Sequence, residues 1–511
     1  VRKKSLAIQI VSLSLLALII SVSLVSAAVE VDTSALREAV TVEGVRTHLE
    51  EFQEIAKDND GVRVSGSAGY DTSAAYVRER LENAGYNVTV QPFNFPFFQE
   101  LTPATVEQTA PDSVSYVYGE DFLTMDYSGS GNVTAPMEAV DLVLPPGPVA
   151  STSNSGCEAS DFDNFTDGNI ALIQRGTCTF AAKAQNAEAA GATAVIIFNE
   201  GQPGRTELFG GTLGGPVVTI PVLSASFAFG TALNDLIDEG LKLNIVTDTV
   251  SETRSTVNVL AETPGGRADR VVVVGAHLDS VSEGPGIQDN GSGSAAILEI
   301  ALQMAALELE PRNKVRFAWW GAEEAGLLGS EYYVSQLSAR DIKKIALNLN
   351  FDMIASPNYV PFVYDGDGSA TALSGPNGSK TIEAVFLEYF DEVENLVTQP
   401  TAFDGRSDYG PFIAVGIPAG GLFTGAEDLK TEAEAALYGG EAGQPYDSCY
   451  HLACDNIDNV DEEALDLMSD AAAHATMTFA MTTSSVNGSD KGKGLGKWRD
   501  GMEYQGSHAK K

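Results

Sequence analysis

Residues 270–280 read Arg-Val-Val-Val-Val-Gly-Ala-His-Leu-Asp-Ser. The apolar run from Val271 to Ala276 has no polar alternation, the pattern of a strand buried on both faces of a parallel sheet. Open α/β sheets carry their ligand sites outside the carboxyl ends of the strands, and this strand delivers His277 and Asp279 there. Residues i and i+2 of a strand point the same way, so His277 can take a metal while Asp279 orients its imidazole as a supporting carboxylate.

The flanking sequence continues the α/β texture. Strands are expected over 313–320, 346–354 and 416–424, with helices over 294–307, 330–337 and 380–393 between them. Ahead of this block, 45–56 is amphipathic, 69–84 is helix-compatible and 86–90 alternates like a strand, with Gly85 closing the second helix. The fold class is therefore α/β, a mixed, mostly parallel sheet sandwiched by helices. From about 95 the texture turns rich in Phe, Pro and Thr, and strands separated by Gly and Pro follow to about 245, which reads as an inserted, mainly β domain.

The 511 residues are 44% hydrophobic and 20% charged, a globular composition. Against 31 Lys and Arg stand 70 Asp and Glu, a formal charge of −39. That charge repels phosphate backbones and anionic headgroups, so no nucleic-acid partner is expected. Arg2-Lys3-Lys4, the apolar stretch 6–25 and Ser26-Ala27-Ala28 have the form of a secretory signal, with a retained membrane anchor as the alternative. Export permits disulfides; closeness in sequence favours Cys157 with Cys178 and Cys449 with Cys454 among the three pairings four cysteines allow. Six N-x-S/T sequons are read as chance.

Carboxylates recur at the other strand ends. Gln288-Asp289-Asn290-Gly291 puts one on a glycine-bearing turn before a helix, Trp320-Gly321-Ala322-Glu323-Glu324 puts two after the next strand, and Asn350-Phe351-Asp352 ends another. His451 sits inside Cys449-Tyr450-His451-Leu452-Ala453-Cys454, a loop that a disulfide would stiffen. Singly these are ordinary features: a structural histidine, a solvated Glu pair, a turn. Together, two histidines and three carboxylates suit two Zn²⁺ ions sharing one carboxylate, since zinc accepts both N and O ligands. Hydrolases use such a pair to generate hydroxide and to stabilise a transition state.

Two resemblances follow from these residues. GNIALIQRGTCTFAAKAQNAEAAGATAVIIFNE, residues 168–200, resembles the protease-associated (PA) domain, a non-catalytic lid or substrate-guiding module of secreted peptidases. AHLDS, QDNGSGSA, WWGAEEAGLLGS, NLNFDMI, FDGRSDYGPF and CYHLACD resemble the M28 family of di-zinc aminopeptidases, nearest to its secreted leucine-type and aminopeptidase Y members. The resemblance implies a zinc-peptidase-like fold and a secreted enzyme that removes a large apolar, leucine-like residue from the N-termini of peptides or proteins. It implies His277, Asp289, Glu324, Asp352 and His451 as ligands of two Zn²⁺ per chain, with Asp289 bridging. Glu323 is then the general base and later acid, Tyr450 the oxyanion donor, and Arg406 a contact for the substrate's amino terminus.

The expected organisation is a signal peptide over 1–28, a first peptidase segment over 29–105, the PA insert over 106–250, the catalytic segment over 251–485 and a flexible tail over 486–511. A monomer without stable membrane association after signal cleavage is expected. The acidity leaves room for a Ca²⁺ site, with Asp466 or Asp470 as candidates but no ligand spacing to support it. The rival readings are a carboxypeptidase on the same scaffold, using Arg406 for a substrate carboxylate, a one-zinc glutaminyl cyclase, and an inactive receptor-like protein. The identity of the metal, zinc or cobalt, is left open.

Overall fold

The computed structural model describes residues 31–487. The expected signal and all but the first two residues of the expected tail lie outside them. After a short helix over Ser34–Ala39 come α1 (Val42–Asp58) and α2 (Ala68–Asn83), capped by Thr41 and Ser67. The strand expected from residue 86 runs much further, as β1 (Asn87–Ala110). It pairs antiparallel along its length with β7 (Lys242–Glu262), from Asn87 opposite Glu262 to Ala110 opposite Lys242. The insert hangs on the far end of this ribbon. The boundaries expected at 105 and 250 thus fall inside strands, because a change in composition need not interrupt a strand.

Between β1 and β7 lie β2 (Phe122–Thr124), β3 (Gly131–Val140), β4 (Ile170–Gln174), α3 (Phe180–Ala189), β5 (Ala194–Phe198), β6 (Val222–Ala225) and α4 (Phe227–Ile237). Strands β3, β4, β5 and β6 pair parallel in that order, with β2 antiparallel at the edge. Apolar clusters cover both faces of this layer: Leu172 and Ile196 lie in one, Ile173 and Ile197 in the other.

The catalytic layer comprises β8 (Arg267–His277), α5 (Ser292–Ala306), β9 (Asn313–Trp320), α6 (Leu328–Ser335), β10 (Ile345–Phe351), β11 (Phe362–Tyr364), α7 (Ser379–Glu392), β12 (Gln399–Thr401), α8 (Tyr409–Ala414), β13 (Ala419–Phe423) and α9 (Glu462–Met481). Its spatial order is β12-β11-β13-β10-β8-β9-β7, and β7 continues it into the insert through β3. Pairs β9–β8, β8–β10 and β10–β13 are parallel, while β9–β7 and β13–β11 are antiparallel. Val272 and Val274 pack into one core and Val271 and Val273 into another, as expected of a strand covered on both faces. Burying each such side chain contributes roughly 1.5–3 kcal/mol.

Helix α9 has no counterpart in the sequence reading. It is buried on most sides, with Ala471, Ala472, Ala473, Ala475, Met468 and Phe479 all in the core, and Asp466, Asp470, His474 and Thr478 form only a narrow polar stripe at helical spacing. Among the described residues no helix is long and apolar enough to cross a membrane.

Candidate active site

Register brings the strand ends together. Trp320 is level with His277 across β9–β8, and Asn350 is level with Gly275 across β10–β8. Three neighbouring parallel strands therefore release His277, the Glu323–Glu324 turn and Asp352 at one edge. Asp289 arrives from the turn that leads into α5, and its peptide bond to Asn290 is cis. His451 arrives from the loop closed by the Cys449–Cys454 disulfide, whose Cα atoms stand 5.3 Å apart.

Two groups of donors share Asp289, and a third, His277 with Glu323 and Glu324, overlaps both. His277 Nε2 is 3.2 Å from Asp289 Oδ1 and 3.2 Å from Asp352 Oδ1. His451 Nε2 is 3.2 Å from Asp289 Oδ2 and 3.2 Å from Glu324 Oε2. The two oxygens of Asp289 are thus divided between the two imidazoles. Donors held tetrahedrally at zinc bond lengths stand roughly 3.3–3.6 Å apart, so both groups fit that metal. Glu323 is buried, with Oε2 3.8 Å from His277 Nε2.

Charge tells the same story. Burial opposes an imidazolium at His277 more than any single neighbour favours it, yet Glu323, Asp352, Asp279 and Asp289 together raise its pKa well above the ordinary value. At His451 burial is likewise outweighed by Glu324 and Asp289, and the pKa rises to about 10. Carboxylates packed this closely require positive charge between them, and a divalent cation supplies it better than protons on the histidines.

Backbone and neighbours hold these groups. Ala322, Met353 and His451, the first two beside Glu323 and Asp352 and the third itself a candidate donor, have φ of 53°, 52° and 56°. Left-handed backbone at non-glycine residues costs of order 1–3 kcal/mol each and persists where the surroundings over-determine it. Asp279 faces both His277 and the Glu pair. His277 Nδ1 lies 3.2 Å from the Asp279 backbone carbonyl and 3.7 Å from its carboxylate, which also accepts the N–H groups of Glu323 and Glu324 at 3.2 and 3.4 Å.

Arg406, for which the resemblance implies a contact with the substrate's amino terminus, is engaged by two neighbours. Its guanidinium pairs with Glu427 at 2.8 Å and donates to the Tyr450 hydroxyl at 3.3 Å. Burial opposes its charge, but Tyr450 and Glu427 outweigh burial and hold its pKa above the usual value. This arrangement ties Arg406 to the Tyr450 hydroxyl. The Tyr450 and His451 rings stack 3.9 Å apart. A cavity of about 410 Å³ opens beside Asp352, Arg406 and Tyr450, with Met353, Phe362 and Phe423 among its apolar walls.

Sequence reasoning missed several supporting residues. Ser407 donates to Asp352 Oδ2 at 2.5 Å and accepts from Asn350 at 2.7 Å; it lies in the FDGRSDYGPF string but was given no task. Arg63 and Asp455, both buried, hold the 278–289 loop. The Cys157–Cys178 pairing is as expected, with Cα atoms 5.8 Å apart, in the insert. The calcium candidates join no group of three metal donors among the described residues, and Asp470 instead lies 3.7 Å from Arg37. A further acidic group, Asp365, Asp367 and Glu383, is tied to the loop's own N–H groups and to Lys380.

An α/β sheet with clustered imidazoles and carboxylates at its carboxyl edge defines a metallohydrolase. The comparisons narrow this class. Residues 258–476 match the model of peptidase family M28, and residues 139–233 match the PA domain. An aminopeptidase of Pseudomonas aeruginosa (strain UCBPP-PA14) is 49% identical over 454 residues, covering 88% of this chain and 83% of that one. A probable leucine aminopeptidase 2 of Aspergillus fumigatus is 42% identical over 431 residues, covering 83% and 80%. Among solved structures, the aminopeptidase from Aneurinibacillus sp. strain AM-1 aligns with a TM-score of 0.61 at 25% identity, covering 87% of this chain and 95% of that one. A zinc aminopeptidase from Bacillus subtilis aligns at 0.53 with 25% identity, covering 85% and 94%. The chain belongs to peptidase family M28 and carries a PA domain.

Proposed function

We propose that this protein is a secreted two-zinc aminopeptidase that removes a large apolar residue, leucine among them, from peptide N-termini. The observation that carries the reading is the division of Asp289 between His277 and His451, each with one further carboxylate. Asp352 completes the first group and Glu324 the second. The chemistry zinc supplies when bound there is acidification of a water and polarisation of the scissile carbonyl.

The rest belongs to the chain's own residues. Glu323 takes the proton of the attacking water and returns it to the leaving amine, a task for a carboxylate within reach of both. The Tyr450 hydroxyl, held by Arg406 and stacked on His451, donates to the developing oxyanion. The surrounding carboxylates, not Arg406, carry the charge to hold a substrate ammonium, which restricts cleavage to the first residue. The apolar walls of the cavity suit a leucine-like side chain, and relatives named leucine aminopeptidase 2 support that class. Two disulfides support an oxidising compartment. The Arg406–Glu427 pair argues against the carboxypeptidase alternative, because it already neutralises the cation such an enzyme needs for a substrate carboxylate.

The test is zinc content and hydrolysis of leucine p-nitroanilide by wild type and Glu323→Gln. Two zinc ions in both proteins, with activity lost only in the variant, is the expected result. Cleavage of N-blocked peptides from their carboxyl ends, with free-amino substrates untouched, overturns it.

A further inference from the structure

We infer that Arg63 and Asp455 form a two-sided clamp that positions the bridging carboxylate, so that the N-terminal helical segment is part of the metal centre. The inference rests on the two-metal reading and adds two residues that are not themselves metal donors.

The loop between His277 and Asp289 has little regular structure of its own, yet it must fix Asp289 for both groups. Arg63, in the turn between α1 and α2, reaches it from one side and is fully buried. Its guanidinium donates through Nε to the Pro285 carbonyl at 2.9 Å, through Nη1 to that of Leu278 and through Nη2 to that of Gly286. Its backbone N–H donates to Ser280 Oγ at 2.9 Å, and its guanidinium lies over the Phe52 ring at 5.1 Å. A planar fork that satisfies three carbonyls of one loop fixes its curvature in a way a point charge does not.

Asp455 reaches the same loop from the other side. Its carboxylate accepts the N–H of Gln288 at 2.8 Å and of Asp289 at 3.0 Å, and its backbone carbonyl accepts that of Ile287 at 3.1 Å. Asp455 directly follows Cys454, so the disulfide loop that presents His451 also carries the group holding Asp289. The carbonyl side of the loop is held by a buried guanidinium and the amide side by a buried carboxyl group, with Asp289 at the end between them. Other polar contacts of this segment lie at its ends, Leu278 N–H on the Trp320 carbonyl, the Asp279 carboxylate on the Glu323 and Glu324 N–H groups and the Gln288 side chain on Ser356 and Ala355; Arg63 and Asp455 fix the backbone between and at Asp289.

Because Asp289 belongs to both donor groups, loosening the clamp weakens both zinc sites together. Supporting residues around metal ligands are typically worth 10–100-fold in affinity or activity. The experiment measures zinc affinity by competition with a chromogenic chelator, together with kcat and KM at saturating zinc, for Arg63→Lys, Arg63→Met, Asp455→Asn and two controls. Ser407→Ala removes the support of Asp352 alone. Leu81→Ala destabilises the α2 core away from the site.

The clamp predicts that Arg63→Met and Asp455→Asn weaken both ions at least about 10-fold, that Arg63→Lys falls between wild type and Arg63→Met, and that kcat falls more than KM rises. Ser407→Ala weakens one ion, and Leu81→Ala lowers the melting temperature with zinc affinity unchanged. Wild-type zinc affinity at both sites in Asp455→Asn, or a loss in Leu81→Ala equal to that in Arg63→Met, overturns the clamp. Arg63→Met leaves three buried carbonyls without their donor, and Asp455→Asn decides the matter where that variant does not fold. A wild type that takes up only one ion overturns the two-metal reading instead, and the clamp is then judged on that ion's affinity.

Discussion

The molecule contains two strand–helix–strand units of the same topology, β4–α3–β5 in the insert and β8–α5–β9 in the catalytic layer. In both, parallel strands are buried on both faces. They differ at the carboxyl edge. Beyond β5 the buried carboxylate of Glu200 accepts the N–H groups of Ser151, Thr152 and Ser153 and pairs with Arg205. Burial opposes its charge, but those donors outweigh it and hold its pKa below the ordinary value. Beyond β8 and β9 the carboxylates face imidazoles and one another. The same topology therefore yields a sealed loop in one unit and a cation site in the other, and what decides is whether each carboxylate is matched by backbone donors.

Breaking the catalytic edge gives the largest effects. Asp289→Asn keeps the size of the side chain but removes the charge shared by both groups, so zinc retention and activity are both expected to be lost, read by metal analysis and turnover of leucine p-nitroanilide. Glu323→Gln is expected to cost about 10²–10⁴-fold in kcat with both ions retained. Glu200→Gln, the corresponding change in the insert, is expected to lower the melting temperature while kcat on a small substrate stays within about twofold, as for a site remote from the chemistry.

The two disulfides sharpen the contrast, because loop entropy and function rank them oppositely. Cys157–Cys178 closes a separation of 21 residues and Cys449–Cys454 one of 5. Chain entropy assigns roughly 3 kcal/mol to the first and about 2 kcal/mol to the second. Replacing the first pair by serines is expected to destabilise the protein more and leave turnover of the small substrate unchanged. Replacing the second pair is expected to lower kcat and weaken zinc at the His451 side, because the left-handed backbone of His451 loses its constraint. Calorimetry and zinc titration on both variants read the two rankings separately.

This difference also explains what was legible in the sequence. The buried strand at 271–276 and the clustering of His277, Asp289, Glu323, Glu324, Asp352 and His451 could be read because each follows a strand end or sits in a short constrained turn; the choice of Glu324 over Glu323 as a ligand comes only from the family resemblance. Arg63 could not, because its partners lie more than 200 residues away and nothing local distinguishes it from a surface arginine. Asp455 adjoins a quoted string, but its task depends on the backbone N–H groups of residues 288 and 289. The length of the β1–β7 ribbon was hidden by its changing composition, and α9 by the breadth of its alanine-rich apolar face, which leaves only a narrow polar stripe.

The smallest expected effect lies on α9, away from both edges. His474 is half-buried beside Tyr389, with Nδ1 2.9 Å from Thr33 Oγ1, and desolvation, aided by Arg37, pulls its pKa down to about 4. Asp470, one turn earlier, is pushed up to about 7 by burial, against the pull of Arg37. The unfolded chain binds a proton at His474 more readily than the folded one between about pH 6.5 and 4, so this residue makes stability fall as pH drops through that window. At Asp470 the folded chain binds the proton more readily between about pH 3.8 and 7, so stability there rises as pH drops. The two contributions oppose each other across nearly the same range. Removing one exposes the other: relative to wild type, His474→Leu is expected to gain stability on going from pH 7 to pH 5, and Asp470→Asn to lose it. Thermal melts at the two pH values read both signs, and shifts of the same sign in the two variants would show that these groups do not titrate as their burial dictates.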